Sequence, residues 1–172
     1  SRAPKEKTEN YWQVDEPIGH KFGYVEGLQL KSADGIIRSL VNNISKNGNL
    51  CLNVSPRGDG SIPEDQQKVL RRIGEWLRQY GEGVYNTRAY VVSGENNVRY
   101  TCKGNSLVYA FVLKWNGKPF AISAIGKERI KSVVGLHDGK PVTFTKTDNG
   151  YMVEASSENV SDPAVCFRIE LE

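Results

Sequence analysis

Apolar residues recur at three- and four-residue spacing in two stretches of the first half of the chain, which is the pattern of an amphipathic helix. The first stretch follows Ser32, a suitable N-cap, and predicts a helix that ends near Lys46. The second predicts a helix from Pro63 to Tyr80, with Gly81 as its terminator. The apolar stripes consist of Ile36, Ile37, Leu40, Val41 and Ile44 in the first helix and Val69, Leu70, Ile73, Trp76, Leu77 and Tyr80 in the second.

A short strand is predicted before each helix. Tyr11 to Val14 is aromatic and β-branched and ends before Pro17, while Asn49 to Ser55 is an apolar run suited to a buried strand. Gly48 is expected to end the first helix in the left-handed conformation that glycine adopts without steric cost. The order strand, helix, strand, helix predicts a parallel sheet with crossover helices.

The helical period disappears beyond Tyr90, and short β-rich runs alternate with turn dipeptides. Asn-Gly or Asp-Gly pairs at 116–117, 138–139 and 149–150 are strong hairpin signals. We therefore predict two domains, with α/β units in residues 1–88 and an antiparallel β-sandwich in residues 89–172. The predicted strands are Val98 to Cys102, Leu107 to Trp115, Phe120 to Ile125, Ile130 to Leu136, Pro141 to Thr145, Tyr151 to Ala155 and Ala164 to Leu171.

Composition adds little to this picture. The chain is 38% hydrophobic and 25% charged, which is ordinary for a globular protein. The formal net charge of +3 is small and the basic residues are spread along the chain, so we expect no nucleic-acid partner. No stretch has the composition of a membrane-spanning segment.

The sequence offers no set of metal ligands or cofactor motif. His20 and His137 fall in different predicted domains, and Cys51, Cys102 and Cys166 are too far apart for a metal knuckle or a redox pair. Each cysteine lies in an apolar run, so buried free thiols are expected, although one disulfide with a thiol left over remains open. We therefore predict neither metal nor cofactor.

Two βα units cannot form a stable sheet by themselves, since both strands would keep unpaired edges. The missing part lies upstream, or on a separate polypeptide, or the sandwich packs against the units. The start SRAPKEKTEN has neither methionine nor signal peptide, so we expect a fragment of a longer protein. If the complete sheet is a (β/α)8 barrel, the loops after Val14 and Val54 lie on its functional face.

The stretch SKNGNLCLNVSPRGDGSIPEDQQ, from Ser45 to Gln67, and the later IGEWLRQYGEGVYNTR resemble the end of the catalytic barrel of α-L-fucosidases of glycoside hydrolase family 29. The family's Trp-Glu pair and Ser-Phe/Trp-Gly-Tyr element are matched by Trp12-Gln13 and Lys21-Phe22-Gly23-Tyr24. The resemblance spans residues 11–88. It implies the last two βα units of a (β/α)8 barrel followed by the β-sandwich that is found in the family.

The resemblance also implies a retaining exo-glycosidase that removes terminal α-L-fucose from glycans. Such an enzyme needs a carboxylate nucleophile and a second carboxyl group as acid/base. The family's aspartate nucleophile belongs to earlier barrel strands, so this chain alone is expected to be inactive and to need a missing N-terminal barrel segment. A fucosylated glycan or glycoconjugate is the implied substrate, and an extracytoplasmic compartment, periplasmic, secreted or lysosomal, is the family's usual setting.

The resemblance also implies candidates for individual site residues. Glu6 and Glu9 are acid/base candidates, because that glutamate usually lies just before the Trp-Glu pair and the run from Arg2 to Glu6 resembles an Arg-Thr-Pro-Glu element. The competing interpretation is a solvated, charged terminus. Gln13 for Glu and Lys21 for Ser depart from the family pattern and place identical substrate contacts in doubt.

Phe22 and His20 are the predicted substrate-binding residues. Phe22 follows a barrel strand and can cover the apolar side of the sugar, including the 5-methyl group that distinguishes fucose from galactose. A rim-plugging aromatic is the alternative for Phe22, and a merely exposed histidine is the alternative for His20. Trp12 is expected to pack within the barrel.

A different class of function is also open. The second half could be a non-catalytic carbohydrate-binding or structural sandwich attached to a barrel remnant. Exposed, coplanar aromatic pairs would favour carbohydrate binding. Alternation in the sequence favours core positions for Tyr109, Trp115, Phe120 and Tyr151.

Overall fold

A computed structural model describes residues 4–126, 128–157 and 160–172 of the chain. It has a small parallel α/β unit followed by antiparallel sheets. The elements, in order, are β1 (Trp12–Pro17), α1 (Ala33–Ile44), β2 (Gly48–Asn53), α2 (Glu64–Tyr80), a 3-10 turn (Gly81–Gly83), β3 (Arg88–Glu95), β4 (Val98–Lys103), β5 (Leu107–Leu113), β6 (Phe120–Ile122), β7 (Ile130–Gly135), β8 (Phe144–Thr147), β9 (Gly150–Val153) and β10 (Ala164–Leu171).

The α/β unit confirms the predicted strand-helix-strand-helix order. β1 and β2 pair in parallel, with Trp12 opposite Gly48 and Pro17 opposite Asn53. The predicted N-cap of α1 is present, since the Ser32 hydroxyl accepts a hydrogen bond from the Gly35 N–H at 3.1 Å. α1 packs on one face of this two-stranded sheet through its apolar stripe, and α2 packs against α1.

The antiparallel half is the predicted sandwich. One sheet has the order β3-β4-β5-β10-β7, and a smaller sheet has the order β6-β9-β8. Sequence analysis missed β3, which pairs with β4 across a turn at Asn96. It also began β8 too early, because Pro141 makes only an isolated bridge to Val134 and the regular strand starts at Phe144.

The apolar face of α2 packs against the sandwich, so the two halves share one core. Trp76, 1% exposed, donates its indole N–H to the Ala164 carbonyl at 2.8 Å and lies 6.1 Å from the Phe111 ring. Asp162 accepts hydrogen bonds from Arg72 at 2.8 Å and from the Tyr80 hydroxyl at 2.7 Å. The sequence alone did not show what covers the apolar stripe of α2. In the structure, the sandwich of the same chain covers it.

Gly48 does not end α1 as predicted. The left-handed residue is Asn47, with φ 70°, while Gly48 already belongs to β2. Glycine is needed there for another reason, because a Cβ would lie 2.3 Å from the Trp12 indole. Trp12 lies against Gly48, and its indole N–H donates to the Lys46 carbonyl at 3.0 Å.

The expectation of three buried thiols is wrong for Cys51. Cys166 is buried and Cys102 half-buried, but Cys51 is exposed, and all three are free. The prediction took β2 as buried on both faces, whereas the helices cover only one face of the sheet. β3 begins at Arg88, close to the proposed division into residues 1–88 and 89–172, which stays a prediction.

Candidate functional site

The carboxyl ends of β1 and β2 lie at the same edge of the parallel sheet, and the loops that leave this edge form the candidate site. Residues 18–32 connect β1 to α1, and residues 54–63 connect β2 to α2. In parallel α/β folds, binding and catalytic groups gather at this edge, because the loops can vary without disturbing the strands.

The first connection has a fixed stem; we call residues 18–31 the aromatic loop. Gly19 and Leu30 form an antiparallel bridge, and the Ile18 carbonyl accepts from the Lys31 N–H at 2.9 Å. The Ile18 side chain is fully buried. The stem therefore anchors the tip of the loop to the core.

The tip of the aromatic loop presents apolar side chains to solvent. Phe22 is 60% exposed, Tyr24 45% and Val25 46%, and Gly23 between the two aromatics has φ 80°. His20 is also exposed, and its backbone N–H donates to the Gln29 carbonyl at 3.1 Å in the stem. The two predicted sugar-binding residues thus lie on one loop, and both are exposed in this chain.

The second connection is held to α2 by Gln66, which sequence analysis did not single out. Its side chain is 1% exposed, accepts from the Ser55 N–H at 2.8 Å and donates to the Ser55 carbonyl at 2.9 Å. Further along, Asp59 accepts from the Ser61 hydroxyl at 2.7 Å and from its N–H at 2.9 Å. These bonds to Ser61 lower the pKa of Asp59 and define a tight turn.

An open groove of about 400 Å³ separates the aromatic loop from the start of α2. Tyr24, Val25 and Leu28 line its apolar side. Charged side chains line the other side, namely Arg57, Glu64, Asp65 and Lys68. An apolar platform opposite charged hydrogen-bonding groups suits a polar ligand with one apolar face.

The sheet face that turns away from the helices is polar and uncovered; we call it the open face. It consists of the exposed residues Gln13, Asp15, Asn49, Cys51 and Asn53. The Gln13 amide donates to the Asp15 carboxylate at 2.8 Å. A sheet with one polar face needs either solvent or a partner on that side.

Glu16, at the end of β1, is directed to the helix side. Its carboxylate accepts from Lys31 at 3.1 Å and from the Ser39 hydroxyl of α1 at 2.7 Å. Both oxygens are therefore committed to structural contacts. Asp15, in contrast, keeps its carboxylate on the open face.

The acid/base candidates Glu6 and Glu9 are exposed and lie at the opposite end of β1. The Asn47 amide, which follows α1, donates to the Thr8 and Glu9 carbonyls at 3.2 and 3.1 Å. Six strand residues, about 20 Å, separate this end from the aromatic loop. The structure therefore does not bring Glu6 or Glu9 near Phe22 and His20; Arg2, named with Glu6 in the sequence, lies outside the described residues.

Within residues 4–126, 128–157 and 160–172, no three His, Cys, Asp or Glu side chains are grouped so that they could hold a metal ion. His137 packs within the sandwich, with its ring 5.5 Å from Trp115 and 5.7 Å from Phe167. No helix among these described residues has the length and apolar character to cross a membrane.

The fold therefore combines a small parallel α/β unit with an antiparallel sandwich, and comparison with known proteins shows where this combination occurs. Residues 1–82 match the family model described as alpha-L-fucosidase. The plasma alpha-L-fucosidase of Rattus norvegicus is 33% identical over 158 residues, which are 86% of this chain and 34% of that protein. The chain thus spans about a third of the length of the curated relatives it matches.

Solved structures give the same result. Alpha-L-fucosidase isoenzyme 1 from Paenibacillus thiaminolyticus superposes with a TM-score of 0.87 and 28% identity over 99% of this chain and 44% of its own. Thermotoga maritima alpha-fucosidase in complex with fucose gives a TM-score of 0.82 and 25% identity over 97% of this chain and 41% of its own. Over nearly its whole length the chain is therefore similar to α-L-fucosidases, and it matches the C-terminal portion of these longer proteins.

Sequence analysis anticipated the sheet edge at which these loops gather but not all of its parts. The family motif pointed to the aromatic loop, and the structure shows that loop exposed. The Gln66 clamp and the groove depend on contacts between separate loops, which no local pattern encodes. The only signal was a glutamine among the first residues of α2, where the side chain can reach back to the preceding loop.

Proposed function

We propose that this chain is the C-terminal part of a retaining α-L-fucosidase that hydrolyses terminal α-L-fucosyl residues of glycans. The observation that carries the proposal is the exposed, anchored aromatic loop at the carboxyl edge of the parallel sheet. The match of residues 1–82 to the fucosidase family supports it. The substrate class comes from these relatives and from the chemistry of the loop.

Phe22 suits a sugar with an apolar patch. An aromatic ring stacks on the C–H face of a pyranose, and the methyl group of fucose enlarges the apolar area that can be buried. Because Phe22 is 60% exposed in this chain, it has surface available for such a contact. His20, in the same loop, supplies a ring nitrogen that can donate to or accept from a sugar hydroxyl.

The open face supports the same function. In our proposal it lines the inside of the completed barrel, below the sugar pocket, where amide and carboxylate groups tolerate water better than an apolar layer does. Gln13 and Asp15 are the polar groups that β1 contributes to this face. Glu6 and Glu9 have no role in this proposal, since they lie at the other end of the strand.

Retaining hydrolysis needs two carboxyl groups about 5 to 5.5 Å apart, one as nucleophile and one as acid/base. We propose that barrel strands upstream of β1 supply the nucleophile. The isolated chain then positions sugar contacts but performs no bond cleavage. In this proposal residues 1–88 complete the barrel and residues 89–172 form the accessory sandwich.

The proposal is tested by Phe22→Ala in the complete enzyme, assayed with an aryl α-L-fucoside. We expect kcat/KM to fall about tenfold or more, the effect of losing roughly one well-buried aromatic contact in the transition state. The loss should be smaller with an aryl α-L-galactoside, which carries a hydroxymethyl group in place of the methyl.

Val91→Ala is the matched control, because Val91 is an exposed apolar residue, 76% accessible, on β3 of the sandwich. Its kcat/KM should equal that of the unmodified enzyme. If Phe22→Ala leaves kcat/KM unchanged as well, Phe22 does not contact the sugar.

The alternative of a carbohydrate-binding sandwich finds no support among the aromatics that raised it. Tyr109, Trp115, Phe120 and Tyr151 are all buried, at most 9% exposed. None of the four offers a ring face to a glycan. The sandwich is better explained as the support that covers α2.

A further inference from the structure

A second groove, of about 280 Å³, lies at the junction of the two halves, near the amino end of β2. It is far from the aromatic loop, at the other end of the parallel strands. We call it the cationic groove. Its lining residues are Lys5, Lys46, Ser93, Gly94, Asn96, Arg99 and one acid, Glu95.

The three cations of this groove have no carboxylate partner among the residues that the structure describes. None of the ion pairs formed by the described residues includes Lys5, Lys46 or Arg99. The charge of Arg99 lowers the pKa of Lys46, in addition to the larger effect of burial, and burial also lowers the pKa of Arg99. Partly desolvated like charges that face one another favour a bound anion between them.

Glu95 brings one negative charge to the groove, but it pairs with none of the three cations, because both oxygens of its carboxylate are held by four neutral donors. One oxygen accepts from the Tyr100 hydroxyl and from the backbone N–H groups of Ser123 and Ala124, at 2.5, 2.8 and 3.0 Å. The other oxygen accepts from the Ser123 hydroxyl. These contacts join the β3–β4 hairpin to the end of β6 and hold the carboxylate in place.

Donors remain for a ligand. Arg99 uses Nε for the Asn42 side chain and Nη1 for the Asn96 and Val98 carbonyls, and its Nη2 makes no hydrogen bond within the described parts of the chain. Lys46 uses one bond, to the Pro4 carbonyl at 3.1 Å. Arg99 is therefore fixed in orientation, while the two N–H groups of its Nη2 stay available.

Gly94 is part of this arrangement. The β3–β4 register shifts between Ala89 and Gly94, and a Cβ at Gly94 would lie 2.8 Å from the Arg99 Cδ and 2.5 Å from the Val98 carbonyl oxygen. The absence of a side chain lets the arginine lie against the strand. The bulge in β3 thus shapes the wall of the groove.

We propose that the cationic groove binds a tetrahedral oxyanion, a phosphate or sulfate group, either free or as an ester of a larger molecule. The three cations and the Glu95 carboxylate leave a net charge of +2 in the groove, which matches a dianion, and guanidinium and ammonium N–H groups are common oxyanion donors in proteins. The inference does not depend on the proposed glycosidase activity, since the groove lies at the opposite end of the strands.

The test measures the thermal midpoint of the chain as inorganic phosphate or sulfate is added, against sodium chloride at equal ionic strength. We expect a concentration-dependent rise with the oxyanions that chloride does not reproduce. Lys46→Gln should weaken binding about tenfold, the effect of roughly one charge-assisted hydrogen bond. Lys118→Gln, which removes one exposed positive charge elsewhere, should bind as the unmodified chain does.

Titration calorimetry with a hexose 6-phosphate and with inorganic phosphate distinguishes the two sources of the group. Tighter binding of the ester assigns the groove to a phosphorylated molecule, and equal or tighter binding of inorganic phosphate assigns it to the free ion. Arg99→Lys keeps the charge but loses the Nη2 donors of the guanidinium, and should also weaken binding. No oxyanion-specific stabilisation of the unmodified chain, or an identical response from Lys46→Gln, would overturn the proposal.

Discussion

The two sides of the α/β unit differ in how completely they are covered. On the sandwich side, α2 is sealed by a buried tryptophan and by the Arg72 and Tyr80 contacts to Asp162. On the other side, the open face of β1 and β2 leaves amide, carboxylate and thiol groups in contact with solvent. We infer that the sandwich stabilises the outer side of this end of the barrel. The inner side, the open face of β1 and β2, would be covered by other strands of the complete barrel.

Trp76→Ala should have the largest effect, because it removes the centre of the sealed side. It deletes a fully buried indole, its hydrogen bond to Ala164 and its contacts with Tyr80 and Phe111. We expect the free energy of unfolding to fall by about 3–5 kcal/mol. Chemical denaturation followed by circular dichroism measures this change.

The exposed Val91 provides the control for that experiment, and Val91→Ala should change the free energy of unfolding by no more than about 0.5 kcal/mol. A loss below about 1 kcal/mol for Trp76→Ala would mean that α2 does not depend on the sandwich.

Gly48→Ala should have an intermediate effect, because it strains the strand pair without touching the sandwich. The new Cβ would lie 2.3 Å from the Trp12 indole, so Trp12 or β2 must shift, at a cost of about 1–3 kcal/mol. Gly58→Ala is the matched control, since its added Cβ would meet no atom within 4 Å and its φ is not left-handed. Equal unfolding midpoints for the two variants would contradict the close packing of Trp12 on Gly48.

Thiol labelling perturbs the protein least. It directly compares the accessibility of the two sides of the α/β unit. Cys51 on the open face should react with a disulfide reagent in the folded protein, at the rate of an exposed thiol. Cys166 should react only on unfolding, because burial raises its pKa well above the ordinary value and excludes the reagent. Single-cysteine variants, followed by the absorbance of the released thiolate, separate the two rates.

In the complete enzyme the Cys51 rate should fall, since the remaining barrel strands would surround the open face. An unchanged Cys51 rate there would show that this face is not the inner wall of the barrel.

Local patterns predicted the helices and most strands because their signals lie within each segment. The stripe from Ile36 to Ile44 specified α1, and the family motif located the aromatic loop. Exposure of Cys51 could not be predicted, because it depends on which faces of β2 the helices cover. The reason for Gly48 was also hidden, since the Trp12 ring that requires it comes from the neighbouring strand, on the far side of α1 in the sequence.

The sandwich shows the same limit. β3 was missed because its residues 90–93 bulge away from regular pairing with β4, which weakens the alternation that marks a strand. The proposed oxyanion donors of the cationic groove come from a segment before β1, from the turn between α1 and β2, and from β4. Only the folded chain brings Lys5, Lys46 and Arg99 together.

In our proposal this chain provides the sugar-contacting end of a fucosidase barrel whose nucleophile lies on other strands. The decisive measurement is the turnover of an aryl α-L-fucoside by the 172-residue chain alone and by the complete enzyme under the same conditions. We expect turnover by the complete enzyme and none above background by the chain alone. Clear turnover by the chain alone, abolished by substitution of one of its own carboxylates such as Asp15→Asn, would contradict the proposal.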